Sequence, residues 1–258
     1  MRRHGPAALL LLTGGAVLRI SLFSDLYLRY VQPALRPYLV ISGSLLVVLG
    51  AVAAVRVLLD RHDEENDEND ENDENEEHDH GKEEGRPHGH GHGHGIAWLL
   101  TLPALALLLF PPPALGSYSA SREQAQLAAQ GVGTFPALPA AKVLDISVAQ
   151  YSSRAIYDTG HSLKGRTLRM TGFVTHGSNG TWYVTRLVVT CCAADATTSK
   201  VEIRGTESTD APQTDTWVTV TGTWLPKGKL GTDGAWPPLL DAKTVTEVKQ
   251  PADPYEKR

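Results

Sequence analysis

The run "YLVISGSLLVVLGAVAAVRVLL", Tyr38 to Leu59, constrains this chain more than any other feature. It holds 22 residues with one charge, Arg56, near its end. A helix of that length spans the hydrocarbon layer of a bilayer, which takes about 20 residues. Two further runs have the same character. Pro6 to Phe23 ("PAALLLLTGGAVLRISLF") carries only Arg19, placed where it can snorkel to the interface. Ile96 to Leu115 ("IAWLLTLPALALLLFPPPAL") contains Pro103 and ends in Pro111-Pro112-Pro113, so a buried or interfacial helix is its alternative reading. The basic start "MRRH" before the first run would also suit a signal peptide, but no small-x-small cleavage site follows it. Three spans are expected.

Orientation follows from Lys and Arg near the span ends. Arg2 and Arg3 precede the first span, and Arg56, Arg61, Lys82 and Arg86 accompany or follow the second, against Arg29 and Arg36 between the two. The bias favours a cytoplasmic N-terminus, which three crossings convert into an extracytoplasmic Ser117 to Arg258. The expected organisation is two transmembrane helices over 1–59 and an acidic, histidine-rich cytoplasmic loop over 60–95. A third helix over 96–116, a tether over 117–142 and a mainly β domain over 143–258 complete it.

Charge is concentrated in the loop. Asp60 to Glu84 holds 15 acidic residues, so the net charge of -5 conceals a mildly basic remainder. No concentrated positive footprint of the kind that binds phosphate backbones is visible, which argues against a nucleic-acid partner. The loop's Asn-Asp-Glu repeats contain nothing apolar to bury, and such segments are expected to stay disordered. Its second half is more pointed. His78, His80, His88, His90, His92 and His94 fall within seventeen residues, the last four alternating with glycine. Imidazoles on so pliable a backbone can converge on Zn, Ni, Cu or Co ions, weakly and with little selectivity, because no site is pre-formed. A spacer with incidental metal affinity is the plainer reading.

Beyond Ser117 the texture is that of a folded domain. Val143 to Asp158 reads as a helical segment or a strand with a turn, the helix being preferred. Strand-like runs follow at "RTLRMTGFVTH", "TWYVTRLVVTCC", "KVEIRG", "TWVTVTGTWL" and "LLDAKTVTEVKQP". Glycines inside two of them, Gly172 and Gly222, mark sharp bends or bulges. Five short bent strands suggest a small barrel of the oligonucleotide/oligosaccharide-binding (OB) type, with a β-sandwich as the alternative.

The only two cysteines, Cys191 and Cys192, are neighbours at the end of an apolar run, with Asp195 close behind. In a straight strand their side chains would point to opposite faces. "CCAADATTS" reads instead as the strand breaking into a turn, which could bring both sulfurs and Asp195 to one rim. Four readings stand: core filler, a strained disulfide between neighbours, a soft-metal site completed by Asp195 or by His161 or His176, and a nucleophilic thiol. The metal site is the leading one, with Zn as the ion, although zinc-binding cysteines are usually two to four residues apart.

The segments "GRTLRMTGFV", "YVTRLVVTCCAADA" and "DTWVTVTG", in this order behind N-terminal spans, resemble the YcgQ-like family of bacterial membrane proteins, whose C-terminal region has no assigned function. The resemblance points to Gly165, Gly172, Arg186, Cys191, Cys192, Ala194, Asp195, Trp217 and Gly222. It implies a location in the bacterial cell membrane, in contact with lipid, and a partnership with a multi-spanning permease. It supplies no reaction. Apart from Arg19 and Arg56 the spans hold no acidic or basic residue, so a transport pathway is expected to belong to another chain. The expected function is an accessory subunit of a metal-ion transport or homeostasis system. An extracytoplasmic thiol-redox protein and a structural scaffold for the permease are the alternatives. No catalytic constellation is visible, and no enzymatic activity is assigned.

Overall fold

The structure is a computed structural model, which describes residues 5–70, 109–110, 112–122, 132–177, 180–205 and 211–257. The histidines at 78, 80, 88, 90, 92 and 94, and most of the third apolar run, lie outside the described residues. The chain divides into two compact units, Met1–Ser24 with Leu35–Pro112, and Asp25–Ala34 with Pro113–Arg258.

The first unit is built on two helices, α1 (Gly5–Leu22) and α2 (Arg36–Asp70). The helix Gly5–Leu22 and the stretch Pro33–Leu59 are both long and apolar enough to cross a membrane. At about 1.5 Å per residue, the 18 residues of α1 reach about 27 Å. The two helices run antiparallel and pack through small residues. A Cβ on Gly14 would lie 2.8 Å from the Gly43 carbonyl oxygen, and one on Gly50 would lie 2.9 Å from the Leu11 side chain. Such close approach needs glycine at the crossing, since any side chain there would meet the facing helix. Leucines and valines such as Leu45, Val48, Val52 and Val55 remain exposed.

The second unit is mainly β. After a short helix α3 (Ser117–Arg122), strand β1 (Leu144–Asp145) leads into helix α4 (Val148–Tyr157). Six strands follow: β2 (Thr167–His176), β3 (Trp182–Val189), β4 (Thr197–Arg204), β5 (Trp217–Leu225), β6 (Leu239–Glu247) and β7 (Tyr255–Lys257). They form one sheet in the order β1-β2-β5-β6-β4-β3-β7, and β2 also pairs with β3. The pairings therefore run β2–β5–β6–β4–β3 and return from β3 to β2. The β4–β6 pair is parallel, as are the additions of β1 to β2 and β7 to β3; the rest are antiparallel.

The five strands read from the sequence are present, and two very short ones, β1 and β7, join them. The expected helix between Val143 and Asp158 is shorter than that span. Leu144–Asp145 pairs with β2, and the helix starts only after Ser147, whose side chain accepts a hydrogen bond from the Gln150 amide. The core collects alternate residues of the strands: Leu168, Met170 and Val174 from β2, Val184 from β3, Val201 from β4, Val218 and Val220 from β5, and Leu240 from β6. Tyr151 of α4 and Trp182 of β3 pack among them. Gly222 sits where the β5–β6 register shifts, and a Cβ there would fall 2.2 Å from the Asp241 carbonyl oxygen. The bend read from that glycine is a backbone contact that admits no side chain.

Candidate functional site

Strand β3 ends at Val189, and the chain then turns. Cys192 keeps an extended backbone (φ −153°, ψ 172°), and Ala193–Asp195 form one turn of 3-10 helix before β4 begins at Thr197. The break resolves the opposition that a straight strand would impose on neighbouring side chains. The Cys191 and Cys192 sulfurs lie 3.5 Å apart, both as free thiols, and one donor atom from each of Cys191, Cys192 and Asp195 falls within 4.8 Å of the others. Cys191 is exposed, while Cys192 and Asp195 are half-buried.

Asp195 also holds the turn from within. Its Oδ1 accepts from the Thr190 amide at 2.9 Å, and its Oδ2 accepts from the Cys191 amide at 2.7 Å. The Thr190 amide is the main reason that its carboxyl titrates below the usual carboxylate range. The Cys191 thiol and the Cys191 and Cys192 amides add to it, against a burial penalty. The same carboxylate pushes the Cys191 thiol up to about 12 through the hydrogen bond it accepts, with a further contribution from Cys192. Without an ion, then, Cys191 is a protonated thiol at neutral pH. That is unfavourable to a nucleophile, because the thiolate is the reactive form.

A second set of contacts grips the turn from outside. Residues Asp25–Ala34 belong to this unit, and Val31 forms an antiparallel bridge with Cys192. The Gln32 amide donates to the Cys191 carbonyl at 3.1 Å, and the Ala193 amide donates to the Tyr30 carbonyl at 2.7 Å. The Gln32 side-chain amide donates to the Val189 carbonyl at 2.7 Å. The Tyr255 hydroxyl donates to the Arg29 carbonyl at 2.9 Å and accepts from the Leu115 amide at 3.1 Å. Sequence reasoning missed Tyr30, Gln32 and Tyr255, since no local pattern announces a pairing between segments so distant in the chain.

The donor set fits a soft or borderline ion. With Zn–S bonds of about 2.3 Å, sulfurs at this separation subtend an angle of about 100° at the ion, near tetrahedral. A carboxylate oxygen offers a third ligand, because an ionised carboxylate has about four acceptor positions and the backbone amides of the turn do not fill them all. Neither histidine considered as a further ligand joins the group. His161 stacks on Trp224 at 5.8 Å, and His176 Nδ1 is hydrogen-bonded to the Thr214 hydroxyl.

The remaining motif residues are structural in their surroundings. Ala194 lies in the 3-10 turn. Gly165 adopts φ +72°, and a Cβ on Gly172 would fall 2.6 Å from the Thr185 carbonyl oxygen. The Arg186 guanidinium lies 4.9 Å from the centre of the Trp217 ring and 3.8 Å from Glu256, and donates to the Tyr255 carbonyl at 3.1 Å. Trp217 packs edge-on against Phe173 at 5.6 Å. Phe173, Leu187, Val189, Ala196 and Tyr255 form a small second core beside the cysteine turn.

No curated protein matches the chain. Two solved structures are weakly similar: the S. pombe Stn1–Ten1 complex and the telomere capping protein Ten1 from Saccharomyces pombe. Each is 18% identical over 42% of this chain and 77% or 81% of the other, with a TM-score of 0.23. Likeness at that level says nothing of function. The sequence itself is more informative. Residues 8–126 match the DUF1980 N-terminal domain and residues 126–256 match the DUF1980 C-terminal domain, in keeping with the resemblance to the YcgQ-like family. The chain belongs to the DUF1980 family.

Proposed function

We propose that this chain is an accessory membrane subunit of a metal-ion transport or homeostasis system, with zinc as its ion and a separate multi-spanning permease as its partner. Cys191, Cys192 and Asp195 form the capture site, and the histidine-rich loop buffers ions on the other side of the membrane. The observation that carries this reading is the convergence of two free thiols and a carboxylate within 4.8 Å in an exposed turn. Three protein ligands leave a fourth tetrahedral position open, which suits an ion that must be passed on more than one that must be kept. Zinc bound by the purified full chain, compared with Cys191→Ser/Cys192→Ser, is the test. Equal zinc in both, with none of it thiolate-bound in the wild type, would remove the capture role and leave the scaffold reading.

The redox reading is less well supported. A thiol pushed up to about 12 is a poor attacking group in thiol–disulfide exchange, which needs the thiolate.

The contacts of residues 25–34 support the membrane topology. A loop that hydrogen-bonds to the β domain shares its side of the membrane. Between that loop and the domain the chain must therefore cross an even number of times. Three spans in all meet this condition, and α1 and α2 alone do not, so the third apolar run is read as crossing. With the N-terminus cytoplasmic, the cysteine turn is extracytoplasmic. The return of the pairings from β3 to β2 supports a closed five-stranded barrel of the OB type, with α4 packed on it.

A further inference from the structure

The cysteine turn is held by hydrogen bonds to backbone groups between Val189 and Ala193. Asp195 supplies two of them, on the amides of Thr190 and Cys191. Three come from a segment far away in the chain. Gln32 takes the carbonyls of Val189 and Cys191, and Tyr30 takes the amide of Ala193. Two sulfurs on adjacent residues can meet one ion only while the backbone keeps this turn, since an extended strand would point them apart. The stability of the turn therefore enters the affinity for the ion.

Resting on the capture reading, we infer that Gln32 is a positioning residue for the thiol pair, and that ion binding at Cys191 and Cys192 is energetically coupled to the docking of the Tyr30–Gln32 segment. Coupling of this kind is reciprocal: whatever the docked segment adds to ion affinity, the ion returns to the docking of the segment. The segment is the connection between α1 and α2. Loading of the capture site is thereby registered in the link between two apolar helices. An ordinary surface chelate, held only by its own loop, would have no such consequence.

The experiment uses the full chain in detergent with zinc as the probe, and reads amide hydrogen exchange and zinc affinity. Zinc is expected to slow exchange at the Gln32 and Ala193 amides, which bond across the two segments, by about tenfold, and to leave them unchanged in Cys191→Ser/Cys192→Ser. Gln32→Leu, which keeps the bulk and removes the side-chain donor, is expected to weaken zinc binding about three- to tenfold, the range for one neutral hydrogen bond. Gln32→Lys, which restores an N–H donor of similar reach, is expected to recover most of that loss. Metal-free Gln32→Leu should lose no more than the one hydrogen bond is worth, a fall in unfolding temperature of about 2–4 °C. One thiolate-bound zinc per chain with no change in exchange at Gln32 and Ala193 would overturn the coupling and spare the capture site. A wild type with no thiolate-bound zinc, and total zinc equal to that of the cysteine variant, would overturn both.

Discussion

The backbone amide of Gln32 donates to the carbonyl of Cys191 at 3.1 Å, and the Gln32 side chain reaches the carbonyl of Val189 at 2.7 Å. One residue of the short connection between the apolar helices thus holds both ends of the segment that leads into the thiol pair. The cysteine turn is therefore held by hydrogen bonds from two stretches of chain.

A fragment beginning at Ser117 keeps both sulfurs and Asp195 but loses Tyr30, Val31 and Gln32. It should bind zinc at least tenfold more weakly than a full chain whose loop histidines (His78, His80, His88, His90, His92 and His94) are replaced by Ser, as measured by competition with a chromophoric chelator, since three hydrogen bonds to the turn are gone. Matching affinities would mean that the turn holds its own shape.

Cys191 should behave as a thiol with a strongly raised pKa. Its alkylation by iodoacetamide, followed by peptide mass spectrometry in metal-free protein, should accelerate about tenfold per pH unit from pH 7 to pH 10 without levelling off, because the thiolate remains the minor form below about 12. Asp195→Asn removes the charge responsible. The rate at neutral pH should then rise, and a rate curve that levels off near pH 8 in the wild type would contradict the hydrogen bond from Cys191 to Asp195.

Glu256 gives the domain an acid-side signature. Burial is the main reason that its carboxyl sits above the usual range, opposed by the Ala149 amide, Arg186 and the Val148 amide. Its raised folded-state pKa means that the folded protein takes up the proton first. Its contribution is therefore fully present below the unfolded value near 4.5 and is lost as pH rises through the folded value. Thermal unfolding followed between pH 7 and pH 5 should show a gain on acidification that is absent in Glu256→Gln. Below about pH 4 the sign reverses, as the carboxyls held below the ordinary range, those of Asp145, Asp158, Asp195 and Glu202, are protonated. A Glu256→Gln curve parallel to the wild type from pH 7 to pH 5 would count against this assignment.

Two glycines of the motif should differ in cost. Gly222→Ala drives a Cβ to 2.2 Å from a backbone oxygen that cannot move without parting β5 from β6, a loss of about 3 kcal/mol at the upper end of overpacking. Gly165→Ala meets no atom within 4 Å and carries only the strain of φ +72°, about 1–2 kcal/mol. Thermal melts of the two variants should rank in that order.

Much of this architecture is legible in the residues because it is local. Alternation in "RTLRMTGFVTH" and "TWVTVTGTWL" marks β2 and β5, whose buried residues Leu168, Met170, Val218 and Val220 follow that alternation. The turn at the cysteines is visible in "CCAADATTS", where small and polar residues end an apolar run. Strands β1 and β7 are not visible, because two or three residues carry no period; the sheet recruits them through parallel pairing to β2 and β3. The join between β4 and β6 escapes for another reason. Their contact depends on where the whole sheet returns, which no single segment encodes. Gln32 is the sharpest case. In the sequence it is one polar residue between Val31 and Pro33, and its meaning lies entirely in the distant carbonyls it reaches.

The central claim is tested most directly by X-ray absorption at the zinc edge on the full chain, loaded with excess zinc and desalted, beside Cys191→Ser/Cys192→Ser. The account predicts sulfur scattering at about 2.3 Å in the wild type, over any nitrogen and oxygen shell from the histidine-rich loop, and its disappearance in the variant. A wild-type spectrum with only nitrogen and oxygen at about 2.0–2.1 Å, unchanged by the substitutions, would contradict it.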